Sequence, residues 1–239
     1  MPLPWLNSTR PDFPPTQRAL TEPNGLLAAG GALTRPWLQA AYRRGIFPWF
    51  ESGQPILWWT PDPRMVLEPE KFHVSRSFRK FLRKNSYTLT FDSRFEEVIT
   101  ACAAPRIDSD GTWITAAMRA AYMDLHRAGM AHSVEVCDAE ALVGGLYGVA
   151  LGRVFFGESM FSRRDNVSKL ALYGLTQHLR SWGFGLIDCQ VSTPHLLSLG
   201  AGEISRSDFE RRLRELVDAP ARYSSWQFQD RLLEPDRQC

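Results

Sequence analysis

Glu158, Asp188 and Gln190 are the residues whose types and spacing best suit chemistry, because each is a polar group at the end of an apolar run. Glu158 follows Val154, Phe155, Phe156 and Gly157, and Asp188 and Gln190 follow Leu186 and Ile187. A carboxylate is costly to bury unpaired, so Glu158 calls for a cationic ligand or an arginine partner. Asp188 and Gln190 are two residues apart and in a strand would share a face, which lets a carboxylate orient an amide that contacts substrate. Glutamine is no general base near neutrality. It donates to a developing oxyanion or accepts from an attacking amine, and so contributes position and electrostatics. Trp49 and Trp113, with Met160 and Leu175, are candidate walls of a cavity for a large apolar side chain, whose burial contributes about 1.5 to 3 kcal/mol. Ordinary core packing is the competing reading for these tryptophans, two of eight in the chain.

Several reaction classes are excluded by what is missing. Gly157, Glu158, Ser159, Met160, Phe161 lacks the final glycine of a nucleophile elbow. The five histidines have no ligand-like spacing and there is no His-Glu-x-x-His, so neither a metal nor a cofactor is expected. Cys102, Cys137, Cys189 and Cys239 lie far apart and suggest neither a disulfide framework nor a zinc site. Arg180 to Gly185 matches the Arg-x-x-Gly-x-Gly pattern with which GNAT-like acetyltransferases hold coenzyme A, which opens an acetyl-CoA-dependent N-acetyltransferase as the alternative. That use needs a helix after the glycines, whereas Leu186 to Cys189 reads as a strand.

With 28 Lys and Arg against 26 Asp and Glu, the net charge is +2, so a polyanion must be met by a local patch. Lys71, Arg76, Arg79, Lys80, Arg83 and Lys84 supply one, uninterrupted by acidic residues. On a helix they form a stripe suited to phosphates, or simply a solvated face. A non-catalytic nucleic-acid-binding module, tRNA-binding if the resemblance given below holds, needs only that stripe and leaves Glu158, Asp188 and Gln190 unexplained. No signal peptide and no bilayer-spanning apolar run is present, and a cytoplasmic protein without membrane contact is expected.

The elements that must position these residues follow from periodicity. Residues 1–64 are rich in Pro, Gly and Trp and read as a small domain or wall, with one helix between Thr34 as cap and Gly45 as stop. The remainder, 65–239, opens with a helix from Ser75 that buries Phe78, Phe81 and Leu82. A second helix runs from Thr115 to about Ala128. His132 to Val136, Leu142 to Ala150 and Arg153 to Phe156 form an antiparallel meander. Asn166 is placed as the cap of a helix bearing Leu170, Leu175 and Leu179, which leads into the strand Leu186 to Cys189. Ser207 to Glu210 is placed as the capping box of a last helix, and the tail after Ala219 is expected to be loosely held.

Ordered segments of the chain resemble the bacterial leucyl/phenylalanyl-tRNA–protein transferase family. They are Glu22 to Gly31 (EPNGLLAAGG), Arg44 to Phe50 (RGIFPWF), Pro55 to Arg64 (PILWWTPDPR), Gly111 to Thr115 (GTWIT), Leu142 to Gly148 (LVGGLYG), Gly157 to Arg163 (GESMFSR) and Ile187 to Gln190 (IDCQ). The resemblance implies an α+β fold: a small N-terminal domain plus a GNAT-like C-terminal domain with a mixed, mainly antiparallel sheet. It implies transfer of Leu or Phe, less readily Met, from aminoacyl-tRNA to the N-terminal Lys or Arg of acceptor proteins, marking them for N-degron proteolysis. By the same resemblance Asp188 and Gln190 are catalytic. Trp49, Trp113, Leu146, Glu158, Met160, Ser162, Leu175, Leu179 and Ile187 bind the aminoacyl-adenosine end, and Arg76, Lys80, Arg83 and Lys84 bind tRNA. A monomer is expected. Leu175 and Leu179 stand where members can carry Phe, and Ser192 and Thr193 replace another polar pair, which bears on the preference between Leu and Phe and on acceptor contacts.

Overall fold

The computed structural model describes residues 3–104, 112–222 and 225–233, so Cys239 lies outside them. Two sheets organise these residues. The first has four short strands, β1 (Trp5–Leu6), β2 (Leu26–Gly30), β3 (Phe47–Pro48) and β4 (Leu57–Trp59), in the order β1-β2-β4-β3. The aromatic, proline-rich run from Phe47 to Trp59 is thus a strand pair. Pro48 is tolerated because β3 is an edge strand with no inner neighbour needing its amide. Trp58 is fully buried, stacks on Trp37 and donates from Nε1 to the Gly30 carbonyl at 2.8 Å.

The second sheet contains β5 (Arg64–Leu67), β6 (Thr88–Phe91), β7 (Ala131–Asp138), β8 (Ala141–Leu151), β9 (Val154–Ser162), β10 (Leu186–Gln190) and β11 (Gly202–Ile204). Its order is β11-β5-β10-β9-β8-β7-β6. The β9–β10 pairing is parallel and the others are antiparallel, so the fold is α+β with a mixed, mainly antiparallel sheet, as expected.

Among the described residues seven α-helices flank the sheets: α1 (Arg35–Tyr42), α2 (Arg76–Leu82), α3 (Phe95–Cys102), α4 (Ala116–Arg127), α5 (Val167–Ser181), α6 (Pro194–Ser198) and α7 (Arg206–Leu216). The large sheet is buried on both faces. Tyr147, Val149 and Leu151 of β8 join a core with Tyr42, Phe95, Met118, Tyr122 and Phe209. The alternate residues Leu146 and Ala150 join Leu170, Leu175 and Leu179 of α5. α5 is the crossover that a parallel β9–β10 pair requires. The glycines of β8 allow close approach: a Cβ on Gly144 would overlap the Val167 side chain, and one on Gly148 the Phe156 carbonyl and the Phe155 ring.

Capping follows the sequence in part. The Ser75 and Thr115 hydroxyls accept from the amides of Phe78 and Met118. Asn166 does not cap with its side chain; it sits at φ 65, a left-handed turn that asparagine tolerates. The cap of α7 is Ser205, which accepts from the Asp208 amide, so the capping box starts two residues before Ser207. The tail is not loose over residues 225–233. Trp226 stacks on His132 with centroids 3.8 Å apart, and the Gln229 amide donates to His178 Nε2 at 2.8 Å.

Candidate active site

β9, β10, α5 and the first sheet enclose a cavity of about 560 Å³, a size usual for a small-molecule site. Leu146, Phe155, Met160, Leu172, Leu175 and Ile187 make its floor apolar, and Trp49 and Trp113 flank it. The polar groups converge at one wall. Glu158 accepts from the Tyr42 and Tyr122 hydroxyls, each at 2.7 Å, and the two hydroxyl oxygens are 2.5 Å apart. The Gln190 amide nitrogen lies 3.4 Å from the same carboxylate.

Among the described residues Glu158 is held by two tyrosine hydroxyls and the Gln190 amide, and the Arg64 charge acts on it without a direct contact. Burial pushes its pKa up to about 7 even though both hydroxyl contacts pull it down, and the nearby Asp188 charge raises it further. Burial, then the Glu158 charge, holds both tyrosines well above their usual value, so they stay neutral donors. With Glu158 ionised, the three side chains share two protons and the 2.5 Å oxygen pair has none between it. A third proton on Glu158 lets each group donate to the next around a closed ring. The cluster is therefore built to take up a proton close to neutrality.

β10 breaks its pairing with β5 between Asp188 and Gln190. Gln190 adopts φ 60, and its amide N–H donates to Asp188 Oδ1 at 3.0 Å. The alternation argument from the sequence is corrected here. The bulge separates the two side chains, and Asp188 holds the Gln190 backbone, not its side-chain amide. The Asp188 carboxylate faces Arg64, whose Nε and Nη2 donate to Oδ1 and Oδ2 at 2.7 and 2.6 Å with both side chains buried. Arg64 also donates to the Gly45 carbonyl and lies between the rings of Phe47 and Phe209. The Cys189 thiol at the cavity wall is pushed up by burial and stays protonated.

Residues 66–214 match the family model described as leucyl/phenylalanyl-tRNA protein transferase, and residues 31–62 match that of its N-terminal domain. The chain belongs to this family of aminoacyltransferases. Curated relatives carrying the name leucyl/phenylalanyl-tRNA–protein transferase include one from Pseudomonas fluorescens, 59% identical over 220 residues that cover 92% of this chain and 97% of that protein. Another, from Chromohalobacter salexigens, is 60% identical over 94% of this chain and 88% of its own length. Among solved structures, a GCN5-related N-acetyltransferase from Kribbella flavida aligns at a TM-score of 0.37 and 14% identity. That alignment covers 70% of this chain and 59% of the other. The C-terminal domain of a putative lysylphosphatidylglycerol synthetase from Agrobacterium fabrum aligns at 0.38 and 12%, covering 79% of this chain and 57% of the other.

Of the residues carried over from the family, Trp49, Trp113, Leu146, Glu158, Met160, Leu175, Ile187 and Gln190 line the cavity. Asp188 stands behind its wall. Ser162 and Leu179 do not line it: Ser162 is exposed at the end of β9, with its hydroxyl on the Arg164 carbonyl, and Leu179 is fully buried in the core under α5. Arg76, Lys80, Arg83 and Lys84 are all exposed on and just after α2, where Ser75 caps the helix and Phe78 anchors it. Arg180 to Gly185 marks the end of α5, with Gly183 at φ 75 as its stop, and β10 follows. A helix C-terminus presents carbonyls, which repel a pyrophosphate. Sequence reasoning missed Tyr42, Tyr122 and Arg64. Tyr122 read as one more apolar residue in the stripe of α4, although a tyrosine in such a stripe carries a hydroxyl that must find a partner.

Proposed function

We propose that the chain transfers leucine or phenylalanine, and less readily methionine, from aminoacyl-tRNA to proteins or peptides that begin with Arg or Lys, which directs them to N-degron proteolysis. One observation carries this reading: a carboxylate held by two tyrosines and an amide on a bulge meet at one wall of a deep apolar cavity. The names of the relatives supply the donor and acceptor classes.

In this reading the amino-acid side chain fills the apolar floor, where an unbranched Cβ is favoured, and an indole of Trp49 or Trp113 stacks on the terminal adenine. Glu158 receives an amino group, and Gln190 contacts the ester carbonyl as its oxygen gains charge. The acceptor nitrogen attacks the carbonyl carbon, the ester C–O bond breaks, and the ribose oxygen leaves with the proton lost by the amine. An acceptor that arrives as an ammonium gives its extra proton to the Glu158 ring. An α-amino group has a pKa of about 7.7 to 8.0, so a useful fraction is already neutral and positioning supplies much of the rate. Arg76, Lys80, Arg83 and Lys84 hold tRNA phosphates without reading sequence. Residues 1–64 act as a small domain closing the cavity against the catalytic domain, 65–239.

The test is transfer of labelled leucine from Leu-tRNA to peptides beginning with Arg, Lys or Ala, without coenzyme A. Label on the Arg and Lys peptides alone is expected. No transfer by folded protein from intact acylated tRNA would overturn the reading.

A further inference from the structure

Two polar side chains are set between α2 and the cavity: Lys169 approaches Phe78 of α2, and His195 lines the cavity. Lys169 lies one turn before Leu172, a cavity residue, and its Nζ sits 5.4 Å from the centre of the Phe78 ring of α2. No carboxylate pairs with it among the described residues. His195, on α6, lines the cavity and is exposed at its mouth. Partial burial and then the Lys169 ammonium hold its imidazole below the usual value, which favours the neutral ring. α6 is tied to the approach to α2, since the Leu199 carbonyl just beyond it accepts from the His73 amide at 2.9 Å.

We propose that Lys169 and His195 form a phosphate-binding step between the basic helix and the cavity, holding the phosphodiester that joins the terminal aminoacyl-adenosine to the nucleotide before it. The inference rests on the proposed donor. A nucleic acid whose phosphates follow α2 and whose last adenosine enters the cavity must lay its final single-stranded phosphates between the two. Lys169 supplies a mobile point charge there, and the neutral imidazole one N–H. The two groups position the donor and take no part in the bond changes.

The discriminating experiment compares two donors, Leu-tRNA and the 3′-ester of leucine with adenosine, which lacks that phosphate. Lys169→Gln removes the charge and leaves a shorter, unbranched polar side chain; Lys169→Arg keeps the charge; His195→Ala removes the imidazole. With Leu-tRNA, Lys169→Gln and His195→Ala should each lower kcat/KM about tenfold, the scale of a lost hydrogen bond to a charged group. The salt dependence of Lys169→Gln should flatten by about 0.7 in log–log slope, and Lys169→Arg should recover most of the loss. With leucyl-adenosine the two Lys169 variants should match the parent within twofold, and His195→Ala should lose less than it does with Leu-tRNA. Equal losses with both donors would show a structural role and overturn the proposal, as would no loss with either. If the parent protein uses neither donor, the proposed function itself fails and takes this step with it.

Discussion

Arg64 and Asp188, 124 residues apart, form a two-pronged ion pair inside the protein, with the guanidinium gripped by aromatic rings on either side and the carboxylate turned back onto the Gln190 amide. The pair ties β5 to β10 at the bulge that aims Gln190 into the cavity. Removing one charge of a buried pair costs far more than the pair contributes, because the other is left unsolvated. Asp188→Asn should therefore lower stability by about 3 to 5 kcal/mol, read as a fall in the urea midpoint at unchanged slope. Arg64→Met combined with Asp188→Asn should recover part of that loss. A fully stable Asp188→Asn protein would contradict the burial of the pair.

The raised carboxyl of Glu158 makes stability depend on pH with a definite sign. Below about pH 4.5 it is protonated in both the folded and the unfolded chain; between there and about 7 only the folded chain keeps its proton; above 7 neither does. Its stabilising contribution is thus complete at low pH and lost as pH rises through 7. Allowing for solvent at the cavity mouth, the swing is about 2 kcal/mol, or about 5 °C in Tm. Thermal melts of the parent and Glu158→Gln from pH 4 to 8.5 should diverge by that amount, with the parent losing ground at high pH.

Tyr42→Phe and Tyr122→Phe each delete a hydroxyl that lowers the Glu158 pKa. Followed by the carboxyl-carbon NMR shift, the parent should titrate at about 7, and either variant higher. A parent midpoint near 4.5 would show that the carboxylate is not held as described.

Gly148→Ala adds one methyl group where a carbonyl and a phenyl ring already stand. Overpacking of this kind costs about 1 to 3 kcal/mol, and here it strikes the Tyr147–Gly148 irregularity that sets the register of β9 against β8. Reduced soluble yield and a lowered Tm are expected, whereas Gly129→Ala, with open space around its Cβ, should lose only what its positive φ demands.

Much of the catalytic sheet was legible in the sequence. β7 shows as alternation, β8 as a glycine-rich apolar run and β9 only as far as Phe156, short of its end at Ser162, while α5 shows as a long apolar stripe leading into β10, since periodicity is a local property. β5, β6, β11, α3 and α6 went unread: strands such as Thr88–Phe91 and Gly202–Ile204 are too short to show a period, and Phe95–Cys102 offers no polar cap at Arg94. The cavity wall was half legible. Glu158 and Gln190 announce themselves by breaking apolar runs, but Tyr42 and Tyr122 sit in apolar helical stripes, and only the packing of α1 and α4 onto β9 turns their hydroxyls into partners. The bulge at Gln190 was invisible for the same reason, because the Asp188 carboxylate that accepts the Gln190 amide there is itself held by an arginine from β5.

The span of the Glu158 contacts has a consequence for how the protein matures. Tyr42 reaches across 116 positions of chain, Tyr122 across 36 and Gln190 across 32. Contacts of such separation close late, after local helices and hairpins have formed. Recovery of transfer activity after dilution from denaturant should consequently lag the return of far-ultraviolet ellipticity, which makes the reaction itself a reporter of the last step of folding, and a half-assembled chain in the cell an inactive one.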